Sequence, residues 1–247
     1  MSAEIEKLQD IINKSKNIVF FGGAGVSTES GIPDFRSQDG LYSENYGNVP
    51  PEEILSKDFF KNHPSVFYKF YREKILMQGS GLEVKPNKGH LKLAELEKAK
   101  KLKAIVTQNI DTLHQQAGSK EVYQIHGTIA TNHCAKCGKE YSLEDVTKET
   151  FGEMICDCGF LIKPDVVLYD EPLPPDVWHK AVAAIKEADC LIVAGTSLSV
   201  YPAANLLDYF HGPNLVILNR TPTDSDSVAD LIIREPIGEV LDQITVL

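Results

Sequence analysis

Ile18-Val19-Phe20-Phe21-Gly22-Gly23-Ala24-Gly25-Val26-Ser27-Thr28, carried on through Gly31-Ile32-Pro33-Asp34-Phe35-Arg36, decides the fold of this chain. The apolar run reads as a buried strand, the glycines as a tight turn, and the hydroxyl residues as the start of a helix. Strand, glycine turn and helix start together open a dinucleotide site. Glycines let backbone N–H groups approach a pyrophosphate, and a helix N-terminus favours its charge. The Asp-Phe-Arg triplet behind the Gly-Ile-Pro bend sets an acid, an aromatic ring and a cation beside the nucleotide. A hydride-transfer site needs no such group there.

Working outward, Ala104–Thr107, Leu191–Ala194 and Leu215–Leu218 repeat the short apolar run followed by a polar or glycine turn. Val122–Ile125 and Val166–Tyr169 read as additional strands. Helical spacing appears over Gly89–Lys101 and Asp176–Ala188. Strands alternating with helices predict an α/β fold, with a mostly parallel sheet covered on both faces. Two stretches break the rhythm. Ser37–Pro86 is rich in aromatics and helix formers and reads as a helical insert. Thr131–Lys163 carries four of the five cysteines with little apolar periodicity, so a metal would have to supply what its core lacks. No internal repeat or low-complexity tract is present, and Thr221–Ser227 reads as a polar loop.

The 247 residues are 43% hydrophobic and 24% charged, an ordinary soluble composition, with a formal net charge of -10. That charge argues against nucleic acid as the main partner. It suits a cationic partner such as a Lys-rich peptide, and it equally suits mere solubility. Met1–Lys16 is a charged amphipathic pattern with Ile5, Leu8, Ile11 and Ile12 on one face, unlike a targeting signal. Ile18–Val26 is too short and glycine-rich to span a bilayer. The expectation is a cytoplasmic protein without membrane attachment. In a reducing compartment cysteines serve as metal ligands or free thiols.

Cys134-Ala135-Lys136-Cys137 and Cys156-Asp157-Cys158 form two close pairs, the pattern of a tetrahedral structural zinc site. The second pair has only one residue between its cysteines. His133 or Asp157 in place of one sulfur is an alternative, as are four unmetallated thiols. Four filled positions leave no open site for water, so such a zinc would hold structure and do no chemistry. Cys190 lies in a strand and reads as a small core residue.

Thr107-Gln108-Asn109-Ile110-Asp111 falls at a strand's carboxyl end, where open α/β sheets bind ligands. Amide, amide and carboxylate suit a carboxamide such as that of nicotinamide; a helix cap at Asp111 would suit the same residues. His126-Gly127 offers a general base at neutral pH, the glycine admitting a close ligand, although a single histidine is as readily structural. His63, His114, His133, His179 and His211 have no comparable setting, and His90 reads as a helix cap. Gly195-Thr196-Ser197-Leu198-Ser199 is a second glycine and hydroxyl turn, and Asn219-Arg220 ends a strand where ribose hydroxyls are read.

In this order, these segments resemble the sirtuin family of bacterial-type NAD-dependent protein lysine deacetylases. The resemblance also includes Val166-Val167 and Tyr201-Pro202-Ala203-Ala204 and spans nearly the whole chain. It implies a Rossmann-like NAD-binding domain of residues 1–36, 87–130 and 164–247. A helical module (37–86) and a zinc module (131–163) would form a smaller inserted domain. It implies NAD as co-substrate, with Ala24, Ser27 and Thr28 near the pyrophosphate and Asp34, Phe35 and Arg36 in a cofactor loop. Gln108, Asn109, Ile110 and Asp111 would line the nicotinamide pocket. Thr196, Ser197, Asn219 and Arg220 would approach adenosine, with Ile237 closing over adenine. Val167, Tyr169, Asp170 and Glu171 would hold the acetyl-lysine peptide by strand addition. His126, with Asn109, would be catalytic, and Cys134, Cys137, Cys156 and Cys158 would bind structural zinc. The implied products are free lysine, nicotinamide and O-acetyl-ADP-ribose. The even charge and the lack of heptads leave a monomer as the expected state.

Three departures from the family pattern stand out: the tightened second cysteine pair, Lys163 in place of a common arginine, and Leu168-Tyr169-Asp170-Glu171 in place of Phe-Phe-Gly-Glu. Members resembling desuccinylases carry Tyr-x-x-Arg, whereas Arg72 stands one place later after Tyr68, about 100° round a helix. The expectation is that Arg72 misses the acyl pocket and that uncharged acyl groups are preferred. Rival readings are an NAD-dependent oxidoreductase with structural zinc, a mono-ADP-ribosyltransferase, and a zinc-dependent binding module without catalysis. Against the oxidoreductase, Thr28 holds the third glycine position of the dehydrogenase fingerprint, and no acid ends a strand about 20 residues on.

Overall fold

The structure, a computed structural model, describes residues 2–35, 37, 40–76, 84–147 and 152–246. Nine strands occur among them. They are β1 (Ile18–Gly22), β2 (Leu102–Thr107), β3 (Val122–Gln124), β4 (Gly127–Cys134), β5 (Glu140–Ser142), β6 (Ile162–Val166), β7 (Cys190–Ala194), β8 (Asn214–Leu218) and β9 (Leu231–Ile233). Six form a parallel sheet in the order β3-β2-β1-β7-β8-β9. The chain winds outward from β1 to β2 and β3, then returns to β7 on the other side. The strand order reverses between β1 and β7, and the crevice beyond their carboxyl ends is the place such sheets leave for a ligand.

Alternate residues of each strand face opposite layers. Ile18, Phe20, Ile105, Ile192 and Val216 pack with Ile5, Leu8, Leu93, Leu96, Val240 and Leu241. Val19, Phe21, Val106, Leu191, Val193 and Ile217 pack with Ala181, Ile185, Ala203 and Leu206. The first layer is built from helices Ala3–Lys14, Lys88–Lys98 and Ile237–Asp242. The second is built from Pro175–Glu187 and the turn Ala203–Tyr209. Caps fix where these helices begin. Ser2 Oγ accepts from Ile5 N (3.4 Å), and Asn87 Oδ1 accepts from Gly89 N (2.9 Å) and His90 N (3.3 Å). His90 Nδ1 reciprocates by accepting from Asn87 N (3.3 Å), a capping box built with an imidazole. Cys190 is fully buried, as its strand predicts.

The two inserts share one core. Short helices Pro51–Ile54, Lys57–Asn62 and Pro64–Phe70 and a π turn Tyr71–Leu76 supply Ile54, Phe60, Phe67, Tyr68, Phe70 and Tyr71. These pack on Cys134, Met154, Cys156 and Ile162 of the cysteine-bearing stretch and on Ile129 and Leu168 just outside it. Phe60, Phe67 and Tyr68 meet edge to face, with ring centroids 4.9–5.8 Å apart, the favoured aromatic geometry. A small antiparallel sheet, β5-β4-β6, braces the other side. The parallel sheet with a smaller attached domain is the fold class that the sequence predicts.

Three local expectations are corrected. The strand expected over Val166–Tyr169 ends at Val166, its residues Ile162–Val166 pairing with β4 in the small sheet. β9 went unread, because three apolar residues after a polar loop carry too little periodicity. The glycine turn does not open a regular helix. Two single 3-10 turns follow, Ala24–Val26 and Thr28–Ser30, the second closed by Gly31 at φ 89°. Gly31 adopts a left-handed conformation and Pro33 lacks an N–H, so the turn cannot propagate.

Candidate active site

A cavity of about 890 Å³ lies beyond the carboxyl ends of β1, β2, β7 and β8, between the parallel sheet and the small domain. It is lined by Ala24, Thr28, Asp34, Phe35, Gln108, Asn109, Ile110, His126, Thr196, Ser197, Asn219, Arg220 and Ile237. Val167, Tyr169, Asp170 and Glu171 line it as well. Ser27 and Asp111 line a smaller recess with Ala24, Phe35, Asn109, Ile110 and Lys74. Arg36 lies outside the described residues.

The glycine turn is held by its neighbour. A Cβ on Gly23 would meet Gly195 O at 2.7 Å, and one on Gly25 would meet Gly195 Cα at 2.7 Å. Gly25 N donates to Gly195 O (2.9 Å), and Gly195 itself stands at φ 60°. The glycines therefore let two backbone loops touch, from β1 and from β7, making a narrow floor at the switch point. Thr28 Oγ1 is turned onto Gly25 O (3.0 Å).

Beneath that floor runs a buried polar network. Asn109 Nδ2 donates to Ser27 Oγ (3.0 Å), which donates to Asp111 Oδ2 (2.8 Å). Asp111 Oδ1 accepts from Leu113 N (3.0 Å), so the helix-cap reading of Asp111 holds alongside its place in the network. Burial raises the Asp111 carboxyl above its ordinary value, and the bonds from Leu113, Ser27 and Asn109 oppose that rise. Gln124 Nε2 donates to Asp111 O (2.6 Å), and Gln108 Nε2 donates to Thr196 Oγ1 (2.9 Å), joining β2's end to β7's.

His126 Nδ1 lies 3.0 Å from Gln108 O. A carbonyl only accepts, so Nδ1 carries the proton and Nε2 keeps the lone pair in the neutral ring. His126 O in turn accepts from Val167 N (2.9 Å). Gly127 adopts φ 78°, and a Cβ there would fall 1.9 Å from Asp165 O. The glycine expected to admit a ligand is needed for the close passage of β6.

At the far end Asn219 Nδ2 donates to Thr221 O (2.9 Å). Arg234, which sequence reading overlooked, donates to Asn219 O (2.8 Å) and Thr221 O (2.9 Å) and pairs with Asp226. It pins the Thr221–Ser227 loop at the end of β8. The cavity also takes Leu55, Tyr71 and Ile75 from the helical insert, and Val200, Tyr201 and Pro202 beyond β7. Among the aromatics of the insert, nothing local tells a lining residue from a core one. Arg72 is not among the lining residues; its Nη1 donates to Gly152 O (2.6 Å).

The segment expected to hold a peptide is partly committed. Tyr169 N donates to Leu55 O (2.9 Å) and Tyr169 O accepts from Lys57 N (3.0 Å). Strand addition at the Tyr169 backbone is therefore corrected: both main-chain groups serve the helical insert, and its side chain faces the cavity. Glu171 accepts from Leu168 N (3.0 Å) and pairs with Lys163 (2.9 Å), which also donates to Val166 O (2.8 Å).

The four sulfurs of Cys134, Cys137, Cys156 and Cys158 lie within 4.8 Å of one another. Cys134 Sγ lies 3.4 Å from Cys158 Sγ and Cys137 Sγ 3.6 Å from Cys156 Sγ. The N–H groups of Cys137 and Lys136 point at Cys134 Sγ and hold its thiol down to about 6. Four converging sulfurs, with backbone donors favouring thiolate at Cys134 and Cys156, fit a tetrahedral zinc. The alternative ligands are committed elsewhere, His133 Nδ1 to Asp165 (2.7 Å) and Asp157 to Lys139 (2.5 Å).

The model of the Sir2 family matches residues 23–202. The chain is 53% identical to an NAD-dependent protein deacetylase of Clostridium acetobutylicum over 98% of both chains. It is 51% identical to one of Clostridium perfringens over 99% of both. Among solved structures, a Sir2–p53 peptide–NAD+ complex matches with a TM-score of 0.85 at 40% identity, covering 98% of this chain and 96% of that one. A Sir2 variant with deacetylated p53 peptide and 3'-O-acetyl-ADP-ribose matches at 0.88 and 39%, covering 96% of each.

Proposed function

This chain belongs to the Sir2 family, and from that premise we propose that it is an NAD-dependent protein lysine deacetylase releasing nicotinamide and O-acetyl-ADP-ribose. The observation that carries the reading is the His126–Gln108 hydrogen bond: it sets the imidazole's tautomer, with Nε2 as the lone-pair nitrogen, which supports a base beside the amide and carboxylate network of one crevice. When bound, NAD supplies a breakable bond to nicotinamide and a ribose hydroxyl that receives the acetyl group. His126 Nε2 takes the proton of that hydroxyl. Asn109, held by Ser27, orients the carboxamide end, and Asp111 fixes Ser27 in turn. Fixed dipoles in a crevice closed on two sides suit a transition state that gains positive charge.

Ala24, Thr28, Thr196, Ser197, Asn219, Arg220 and Ile237 follow the remaining length of the dinucleotide in this assignment. Asp34, Phe35 and Arg36 cover it, and Val167, Tyr169, Asp170 and Glu171 meet the acetyl-lysine peptide. Cys134, Cys137, Cys156 and Cys158 hold a structural zinc, and with four sulfurs on the ion it does no chemistry. We assign residues 1–36, 87–130 and 164–247 to the NAD-binding domain and the rest to the small one. The shared core of the two inserts supports that grouping, although β4 and β6 run across its borders. The reading is of a cytoplasmic monomer. No helix among the described residues is long and apolar enough to cross a membrane, and the net charge of -10 speaks against nucleic acid.

The test is one mixture of protein, NAD and acetyl-lysine peptide. Deacetylation in step with nicotinamide release is expected, with a succinyl-lysine twin turned over more slowly because Arg72 is spent on Gly152. Growth of the NADH band would instead mark an oxidoreductase, and nicotinamide release with ADP-ribose left on protein would mark a transferase.

A further inference from the structure

Asp170 stands at the tip of the turn between Val167 and Glu171, exposed and lining the cavity. Its φ is 66°, in the left-handed region that burdens any side chain with a Cβ. Glycine takes that region at eight other described positions and Lys100 and Leu198 at two more; aspartate is among the side chains that tolerate it best. Among the described residues no cation or donor lies within bonding distance of its carboxylate. Its neighbour differs, since Glu171 is neutralised by Lys163 at 2.9 Å. Of the two adjacent acids, only Asp170 offers an uncompensated charge to whatever enters.

That charge would repel a phosphate and attract a cationic side chain. It shares the lining with other acids and with one cation. The described carboxylates along the cavity are Glu29, Asp34, Asp170, Glu171 and Glu235, and the described cation is Arg220. Glu29 is occupied in accepting from Gly238 N (2.8 Å). Tyr169, next to Asp170, has its backbone locked to Leu55 and Lys57, so the turn is a rigid mount. We propose that Asp170 is a specificity determinant that selects peptides with a basic residue beside the acetylated lysine. This rests on the deacetylase reading and adds a substrate class to it.

The test uses the full chain with saturating NAD and two acetyl-lysine peptides. They differ only in carrying arginine or glutamate on both sides of the modified residue. The expected kcat/KM ratio favours arginine by about three- to tenfold, through KM, the scale of an exposed ion pair set against a like-charge contact. It shrinks in 0.5 M NaCl, as screening requires. Asp170→Asn keeps tolerance of the left-handed backbone while removing the charge, and brings the ratio close to one. Asp170→Gly does the same and melts no lower than the parent. An undiminished ratio in Asp170→Asn would assign the preference to the overall negative charge and overturn the proposal, as would a parent without preference. If neither peptide is deacetylated, it is the deacetylase reading that fails.

Discussion

Lowering the pH from 7 to 5 should strip this fold of a large part of its stability, through two histidines that take no part in the proposed chemistry. His90 and His114 are 0% and 1% exposed, with ring centroids 4.7 Å apart and the edge of Phe20 against His114. Burial pushes His90 down to about 4; burial first, and then His90 beside it, pushes His114 down to about 3. Both folded-state values lie below the 6.5 of a free imidazole, so the unfolded chain binds the extra protons as pH falls. The stability is intact above about pH 7 and drains away from 6.5 towards 4 and 3. At pH 5 an unfolded histidine is almost fully charged while each of these stays neutral, which costs about 2 kcal/mol apiece and about 4 kcal/mol together. Small domains are stable by about 5–15 kcal/mol in all. Urea titrations at pH 7 and 5 measure the loss. His114→Leu removes one titrating group and should shrink the loss by about 2 kcal/mol. A parallel NMR titration should leave the His90 and His114 rings unmoved between pH 8 and 5. An unchanged loss in His114→Leu, or both of those rings titrating near 6.5, would refute the reasoning.

His126→Ala should lower kcat by about two to four orders of magnitude while leaving the melting temperature close to that of the parent. Near-normal turnover rejects His126 as the base. Gly127→Ala puts a Cβ 1.9 Å from Asp165 O at φ 78° and should destabilise by about 2 kcal/mol or more. An unshifted urea midpoint contradicts the crossing geometry. Cys134→Ser should abolish zinc stoichiometry by elemental analysis and lower the melting temperature. Unchanged metal content and melting would dismiss the four-sulfur site.

The parallel sheet was legible because Ile18–Phe21 and its fellow runs are short, apolar and closed by turns, and nothing but a doubly covered sheet buries such strands. The polar residues were legible by position, since Gln108, Asn109, Thr196 and Asn219 each follow a strand's end and so fall on one rim. Spacing revealed the cysteines. What stayed hidden depends on distant partners. Gly23 and Gly25 are glycines because Gly195 presses on them from elsewhere in the chain. Gly127 is one because of Asp165, and Arg234 matters only once Asn219 and Thr221 are folded against it. His114 looked unremarkable until Phe20 and His90 enclosed it.

Strand β4 begins next to His126 and ends on Cys134. One strand thus has the proposed proton acceptor just before one end and a sulfur ligand at the other. Loss of order at the sulfur end would reach the strand that carries on from the imidazole, whereas the nucleotide floor is anchored on β1 and β7. Starving the protein of zinc should therefore cost turnover more than it loosens the grip on NAD.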